Sequence, residues 1–192
     1  MAIHEVEFKS FNEIETVKGW IYTPIREPIG VVQIVHGYGE HSRRYLHMIL
    51  TLNEAGFVVA ADDHVGHGKT AYDSDNWSNW GDKGYMTMAE DEQKLRELIK
   101  EDYGDLPYFM FGHSMGSLAA RVYAGRFDGE LAGLVVCGSP GWNPGAPFGR
   151  RMARVLGARS GGRARSRFLK VLTFGPFYRA FKKEQSKCAW IC

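Results

Sequence analysis

Residues 108–116, YFMFGHSMG, join an apolar run of strand type to a glycine–x–serine–x–glycine turn, and the helix-forming stretch SLAARVYAGR follows at once. A strand, a tight turn and a helix in that order read as a nucleophile elbow, in which the central serine stands exposed above a sheet. Gly112 and Gly116 permit the sharp turn and the close helix packing that such an elbow needs. Residues 31–35, 57–61 and 131–137 are further apolar runs, continuous rather than alternating, as strands buried on both faces would be. Between them, residues 43–55 carry apolar side chains at helical spacing and stop at Gly56. Residues 88–103 set Leu95, Leu98 and Ile99 on one stripe of a charged helix, and a third helix is expected over 115–127. Strands alternating with helices predict a mostly parallel sheet with helices on both faces. Residues 3–9 and 17–23 alternate apolar and polar and read as a leading hairpin, and DDHVGHGKT (62–70) reads as a loop.

At 192 residues, 44% hydrophobic and 24% charged, the chain suits one globular domain. No apolar stretch approaches the ~18 residues that span a bilayer, and MAIHEVEFKS lacks the features of a signal peptide. Cys137, Cys188 and Cys192 fit neither a metal-ligand spacing nor a disulfide framework, which favours reduced thiols in a cytoplasmic protein. Charge is divided unevenly. Residues 1–140 hold 12 Lys+Arg against 21 Asp+Glu, whereas residues 141–192 hold 12 Lys+Arg against Glu184 alone. The pattern of strands also stops at 137. Residues 1–140 therefore read as the core, and residues 141–192 as a separate basic, apolar helical segment. No nucleic-acid-binding module accompanies the basic residues, so nucleic acid is not the expected partner.

Ser114 is the candidate nucleophile, with a glycine-rich structural turn as the plainer alternative. Its hydroxyl becomes reactive only when positioned and relieved of its proton. Met115 opens the following helix with its backbone N–H able to face a developing oxyanion. A second such donor is expected from a loop after an earlier strand. His36-Gly37-Tyr38-Gly39 follows the run 31–35, and the Tyr38 N–H is the candidate.

Three motifs in this order, HGYGEHSRRY (36–45), DHVGHG (63–68) and GHSMGS (112–117), resemble the monoacylglycerol lipase and lysophospholipase branch of the α/β-hydrolase superfamily, the serine aminopeptidase S33-type hydrolases. The resemblance covers essentially the whole chain, with the segment after 141 similar to the start of that family's lid. It implies an α/β-hydrolase fold, acyl transfer to Ser114 followed by hydrolysis, a small lipid-ester substrate, and neither metal nor organic cofactor. It also implies that His36, with Gly37 and Gly39, supports the oxyanion loop.

The family's chains continue past the lid with the last sheet strands, an acidic triad member and a base histidine. All seven histidines here (4, 36, 41, 47, 64, 67 and 113) lie at or before residue 113, and Asp128 is the sole aspartate after Ser114. No position in this chain receives the acid or the base, and the form in hand is expected to be inactive or severely impaired. His113 should point away from its neighbour. His36 and His41 are weighed as loop supports against a surrogate base, and His64 and His67 as turn-holding residues. His4 and His47 read as surface or packing residues, Asp128 and Glu184 as solvated. Phe148, Met152, Val155 and Leu156 with interleaved arginines suit a lid over an acyl pocket in transient contact with a membrane surface; helices packed on the core are the alternative. If the sheet ends at 131–137, its open edge predicts self-association. Two other readings of the whole chain are a non-catalytic lipid-binding or regulatory protein and a truncated gene product.

Overall fold

Two antiparallel strands begin the chain, β1 (Ala2–Lys9) and β2 (Thr16–Thr23). They extend a parallel sheet built from β3 (Gly30–Val35), β4 (Phe57–Asp63), β5 (Tyr108–His113) and β6 (Gly133–Cys137), in the order β1-β2-β4-β3-β5-β6. Only the β1–β2 and β2–β4 pairings are antiparallel. The computed structural model describes residues 1–127, 129, 131–158, 168 and 171. This is the α/β-hydrolase architecture that the sequence predicts.

β3 lies centrally, with Gly30 opposite Phe57 of β4 on one side and Val31 opposite Tyr108 of β5 on the other. Its residues are buried without exception, which explains a continuous apolar run rather than an alternating one. Side chains alternate across the sheet. Val32 and Ile34 pack with Trp20, Tyr22 and Val59 against Ile49 of helix α1 (Leu46–Glu54). On the opposite face, Val31 and Ala60 pack against Leu95 and Ile99 of helix α3 (Met86–Tyr103). There too, Val35 and Met110 meet Ala119, Ala120 and Tyr123 of helix α4 (Met115–Arg126).

DDHVGHGKT is not the plain loop expected from its composition. Asp62 and Asp63 end β4, and Gly68–Ser74 forms helix α2. Asp63 explains both. Its Oδ1 accepts from the Ser42 N–H (2.8 Å) and hydroxyl (2.7 Å), its Oδ2 from the Lys69 N–H (2.7 Å), and its carbonyl from the Thr70 hydroxyl (2.6 Å). The helix expected over 43–55 is likewise split, into a 3-10 turn at Ser42–Tyr45 and α1.

β6 is the outer strand of the sheet among the described residues, and Leu134, Val135 and Val136 are exposed on it. Met1–Pro140 forms one compact unit, and a second begins at Gly141. In the second unit helix α5 (Ala146–Ala158) buries none of its residues, with Phe148 and Val155 exposed. Residues 159–167, most of 169–192, Asp128 and Glu184 lie outside the described residues, and with them much of the segment expected to be helical.

Candidate active site

Ser114 occupies the single residue between β5 and α4, at φ 50° and ψ −114°. A side-chain-bearing residue in that region is strained, and it is held there by the packing around it. The two motif glycines supply that packing. A Cβ on Gly116 would lie 2.1 Å from the Val35 carbonyl oxygen, and one on Gly112 would lie 2.6 Å from the Gly116 carbonyl oxygen. Backbone therefore runs against backbone at both positions. The Ser114 N–H donates to the Cys137 carbonyl (2.8 Å), which ties the turn to β6. Met115 is the first helical residue of α4, so its N–H belongs to the helix end that lacks intrahelical acceptors.

The loop after β3 lies against this turn. A Cβ on Gly37 would sit 3.2 Å from the Ser114 Cβ and 2.6 Å from Glu40 Oε1. Both peptide groups flanking Gly37 are held by side chains. In the first, the Gly37 N–H donates to Glu40 Oε1 (2.6 Å) while the His36 carbonyl accepts from His64 Nε2 (3.2 Å). In the second, the Gly37 carbonyl accepts from His36 Nδ1 (2.8 Å). The tautomer of His36 follows from its other nitrogen: Nε2 accepts the His64 backbone N–H (3.1 Å), so Nδ1 carries the proton. No peptide bond of the described residues is cis, and in a trans peptide the N–H points opposite to the C=O. Fixing the Gly37 carbonyl thereby fixes the direction of the Tyr38 N–H.

Beneath the loop is a buried charge cluster. The His36 and His64 rings stack at 3.8 Å, and His64 Nδ1 lies 3.4 Å from both Asp62 Oδ2 and Glu92 Oε1. Burial alone would lower the His64 pKa, but the charge of Asp62 and then that of Glu92 outweigh it and raise it to about 9. Glu92 moves well upward through its own burial and the Asp62 charge. Gln33 donates to Glu92, and Tyr108 donates to Gln33. Burial keeps His36 neutral, and the His64 charge reinforces this. His67 is lowered to about 4 by burial and then by His64. Asp62, His64 and Glu92 are the one group of the described residues whose ligand-type atoms all lie within 4.8 Å of one another. His64 Nδ1 faces both carboxyl groups there, while its Nε2 is directed at the His36 carbonyl.

Residues 26–168 match the family described as "Serine aminopeptidase, S33". The chain belongs to this family. Among curated proteins it is 34% identical over 118 residues to a monoacylglycerol lipase of Mycolicibacterium smegmatis, covering 62% of this chain and 40% of that protein. It is 32% identical over 115 residues to the human monoglyceride lipase, covering 60% of this chain and 36% of that protein. A thermostable carboxyl esterase from Bacillus coagulans, solved in complex with glycerol, matches with a TM-score of 0.89 at 56% identity, over 97% of this chain and 61% of the esterase. The chain thus spans about two fifths of the two curated relatives and about three fifths of the solved esterase.

Within this S33-family frame the residues singled out from sequence fall into two groups. Ser114, Met115, Gly37, Tyr38, Gly39 and His36 come together at the carboxyl ends of β3 and β5. Gly39 adopts φ 71°, the left-handed conformation that glycine tolerates. His64 and His67 are buried beneath them, and His41 precedes the 3-10 turn. His4 and His47 are exposed and stand apart. His113 gives its Nδ1 to Glu40 Oε1 (2.9 Å). Sequence reasoning missed Glu40, Glu92 and Gln33. An isolated glutamine inside a fully apolar strand was the one signal that a buried polar partner existed.

Proposed function

We propose that the chain is the nucleophile-bearing part of a serine ester hydrolase acting on lipid esters of the monoacylglycerol or lysophospholipid class. The observation that carries this reading is the strained, glycine-enclosed Ser114 facing the Gly37–Tyr38 peptide. Ser114 would attack the ester carbonyl to form an acyl-enzyme. The Tyr38 and Met115 N–H groups would hold the tetrahedral oxyanion, and water would release the acid. The substrate class is supported by the names of the lipase relatives. A cytoplasmic setting, with reduced cysteines, accompanies it.

Neither base nor acid of a triad is assigned. His36, His64 and His67 are buried and engaged with the loop or the charge cluster, and His113 is engaged by Glu40. The 192-residue form is therefore inactive or severely impaired, retaining what an oxyanion hole and binding alone provide. Residues 141–192 are read as a lid segment. Its exposed Phe148 and Val155, with Arg150, Arg151 and Arg154, favour transient contact with a lipid surface. The exposed β6 edge favours self-association, which light scattering would detect as species larger than a monomer.

Reaction with a fluorophosphonate probe tests the central reading. Slow labelling confined to Ser114, abolished in Ser114→Ala, is expected. Rapid stoichiometric labelling would mean that a base is present after all. Labelling absent from Ser114, together with calorimetric binding of monoacylglycerol, would favour the non-catalytic lipid-binding alternative.

A further inference from the structure

Glu40 lies four residues beyond the oxyanion loop's first histidine, yet its side chain, only 8% exposed, reaches both halves of the candidate site. Oε1 accepts from three donors: the Gly37 N–H (2.6 Å), the Tyr45 hydroxyl (2.6 Å) and His113 Nδ1 (2.9 Å). Oε2 accepts from the Arg44 guanidinium (3.1 Å). Two of these partners occupy matched places. Gly37 immediately precedes Tyr38, and His113 immediately precedes Ser114, whose own successor is Met115. One oxygen atom thus binds the chain just upstream of each proposed oxyanion donor.

We propose that Glu40 is a positioning residue that sets the spacing between the Tyr38 and Met115 N–H groups by holding Gly37 and His113 on a single carboxylate oxygen. This rests on the reading of Ser114 as nucleophile. The physical argument is one of geometry. One donor lies in the loop after β3 and the other opens α4 after β5, so β3–β5 pairing alone leaves their mutual orientation open. Donors aimed at an oxyanion act only within a narrow range of distance, and a misplacement of about 1 Å can cost on the order of 100-fold in rate. A shared acceptor removes that freedom for both loops at once. The acceptor is itself braced. Burial pushes the Glu40 pKa up, but Tyr45, His113 and Gly37 outweigh that and hold it below the usual carboxylate range. Tyr45 packs edge-on to the His113 ring at 6.2 Å, closing the arrangement from the other side.

The test uses the full chain, its Ser114→Ala form, and the Glu40→Ala and Glu40→Gln variants. Two quantities are measured: backbone hydrogen exchange, and the fluorophosphonate labelling rate at Ser114. In Glu40→Ala, exchange should rise together in residues 36–39 and 112–116 while the β1–β2 hairpin keeps its wild-type protection, and labelling should fall at least ~10-fold. Glu40→Gln keeps an acceptor at Oε1 and should return the rate to within about threefold of wild type, a rescue that a purely structural loss would not give. Loosening of only one segment would overturn the proposal. So would a labelling rate unchanged while both segments loosen, or a failure of Gln to rescue. Wild-type labelling no faster than that of Ser114→Ala would instead overturn the nucleophile reading, leaving Glu40 a structural anchor whatever the exchange shows.

Discussion

Replacing Gly116 by alanine should be among the most disruptive single-methyl changes available to this chain, whereas the same replacement nine residues on should stabilise it. At Gly116 the new Cβ would lie 2.1 Å from the Val35 carbonyl oxygen, 2.5 Å from that of His36 and 2.6 Å from the Val35 carbonyl carbon. Ordinary contact begins at 3.4 Å, so the start of α4 must retreat from β3 by about 1.3 Å. All three atoms are backbone and belong to the central strand or its first loop residue, so they cannot swing aside. Retreat would also part Ala119, Ala120 and Tyr123 from Val35 and Met110. Overpacking costs about 1–3 kcal/mol and sometimes more. The gain in helix propensity from Gly to Ala returns only about 0.5–1 kcal/mol. The upper end of the overpacking range applies against rigid backbone, giving a net loss of at least about 2 kcal/mol. Gly125 sits exposed in the same helix with nothing within 4 Å of an added Cβ. There only the propensity gain remains, about 0.5 kcal/mol near a helix end. With a urea slope of about 2 kcal/mol/M, Gly116→Ala should lower the unfolding midpoint by roughly 1 M or more, and Gly125→Ala should raise it by roughly 0.25 M. Midpoints moving the same way in both variants, or a Gly116→Ala shift below about 0.25 M, would refute the argument.

The contributions of His67 and His64 to stability should be lost at opposite ends of the pH range. His67, lowered to about 4, favours the fold above its unfolded pKa of 6.5, and that contribution of about 3 kcal/mol is lost as pH falls toward 4. His64, raised to about 9, contributes a similar amount below 6.5 that is lost as pH rises through 9; urea midpoints across pH 4–9.5 should show both limbs, and the alkaline one should flatten in His64→Gln. Asn53→Ala should cost about 1–3 kcal/mol in the same assay, because its amide donates to the buried Tyr22 carbonyl (3.0 Å) and to that of Phe57 (3.1 Å). Gly37→Ala should slow Ser114 labelling, since its Cβ would meet Glu40 Oε1 at 2.6 Å and the Ser114 Cβ at 3.2 Å; an unchanged labelling rate would count against the close approach of loop and elbow.

The elbow was legible because its chemistry is local: a run of strand, two glycines and a helix are all contained in one short stretch. The parallel strands were legible for the same reason, each being built on a short apolar run. Asp62 and Asp63 misled because strand propensity disfavours aspartate, while Asp63 is held in place by donors from Ser42 and Lys69 and Asp62 by His64 Nδ1. Helix α2 was hidden by Gly68, where a φ of 48° and the 2.2 Å at which an added Cβ would meet Asp63 Oδ2 make glycine a requirement rather than a sign of a loop. Glu40 and Glu92 could not be read, because their partners are far off in sequence: His113 lies 73 residues from Glu40, and Gln33 lies 59 from Glu92. Such pairings exist only once the sheet has brought the strand ends together.

The position of β3 between β4 and β5 also sets a clock. Val31 pairs with Val58 on one edge and with Tyr108 on the other, so the second edge waits for residues made much later than the first. At a synthesis rate of about 5–20 residues per second, that interval is about 2.5–10 s. Throughout it, a strand destined for complete burial offers an unpaired edge to whatever is nearby. During that time a nascent chain long enough to display the oxyanion loop has no serine to place against it. The stretch of synthesis between β4 and β5 is therefore when this open edge most needs cover.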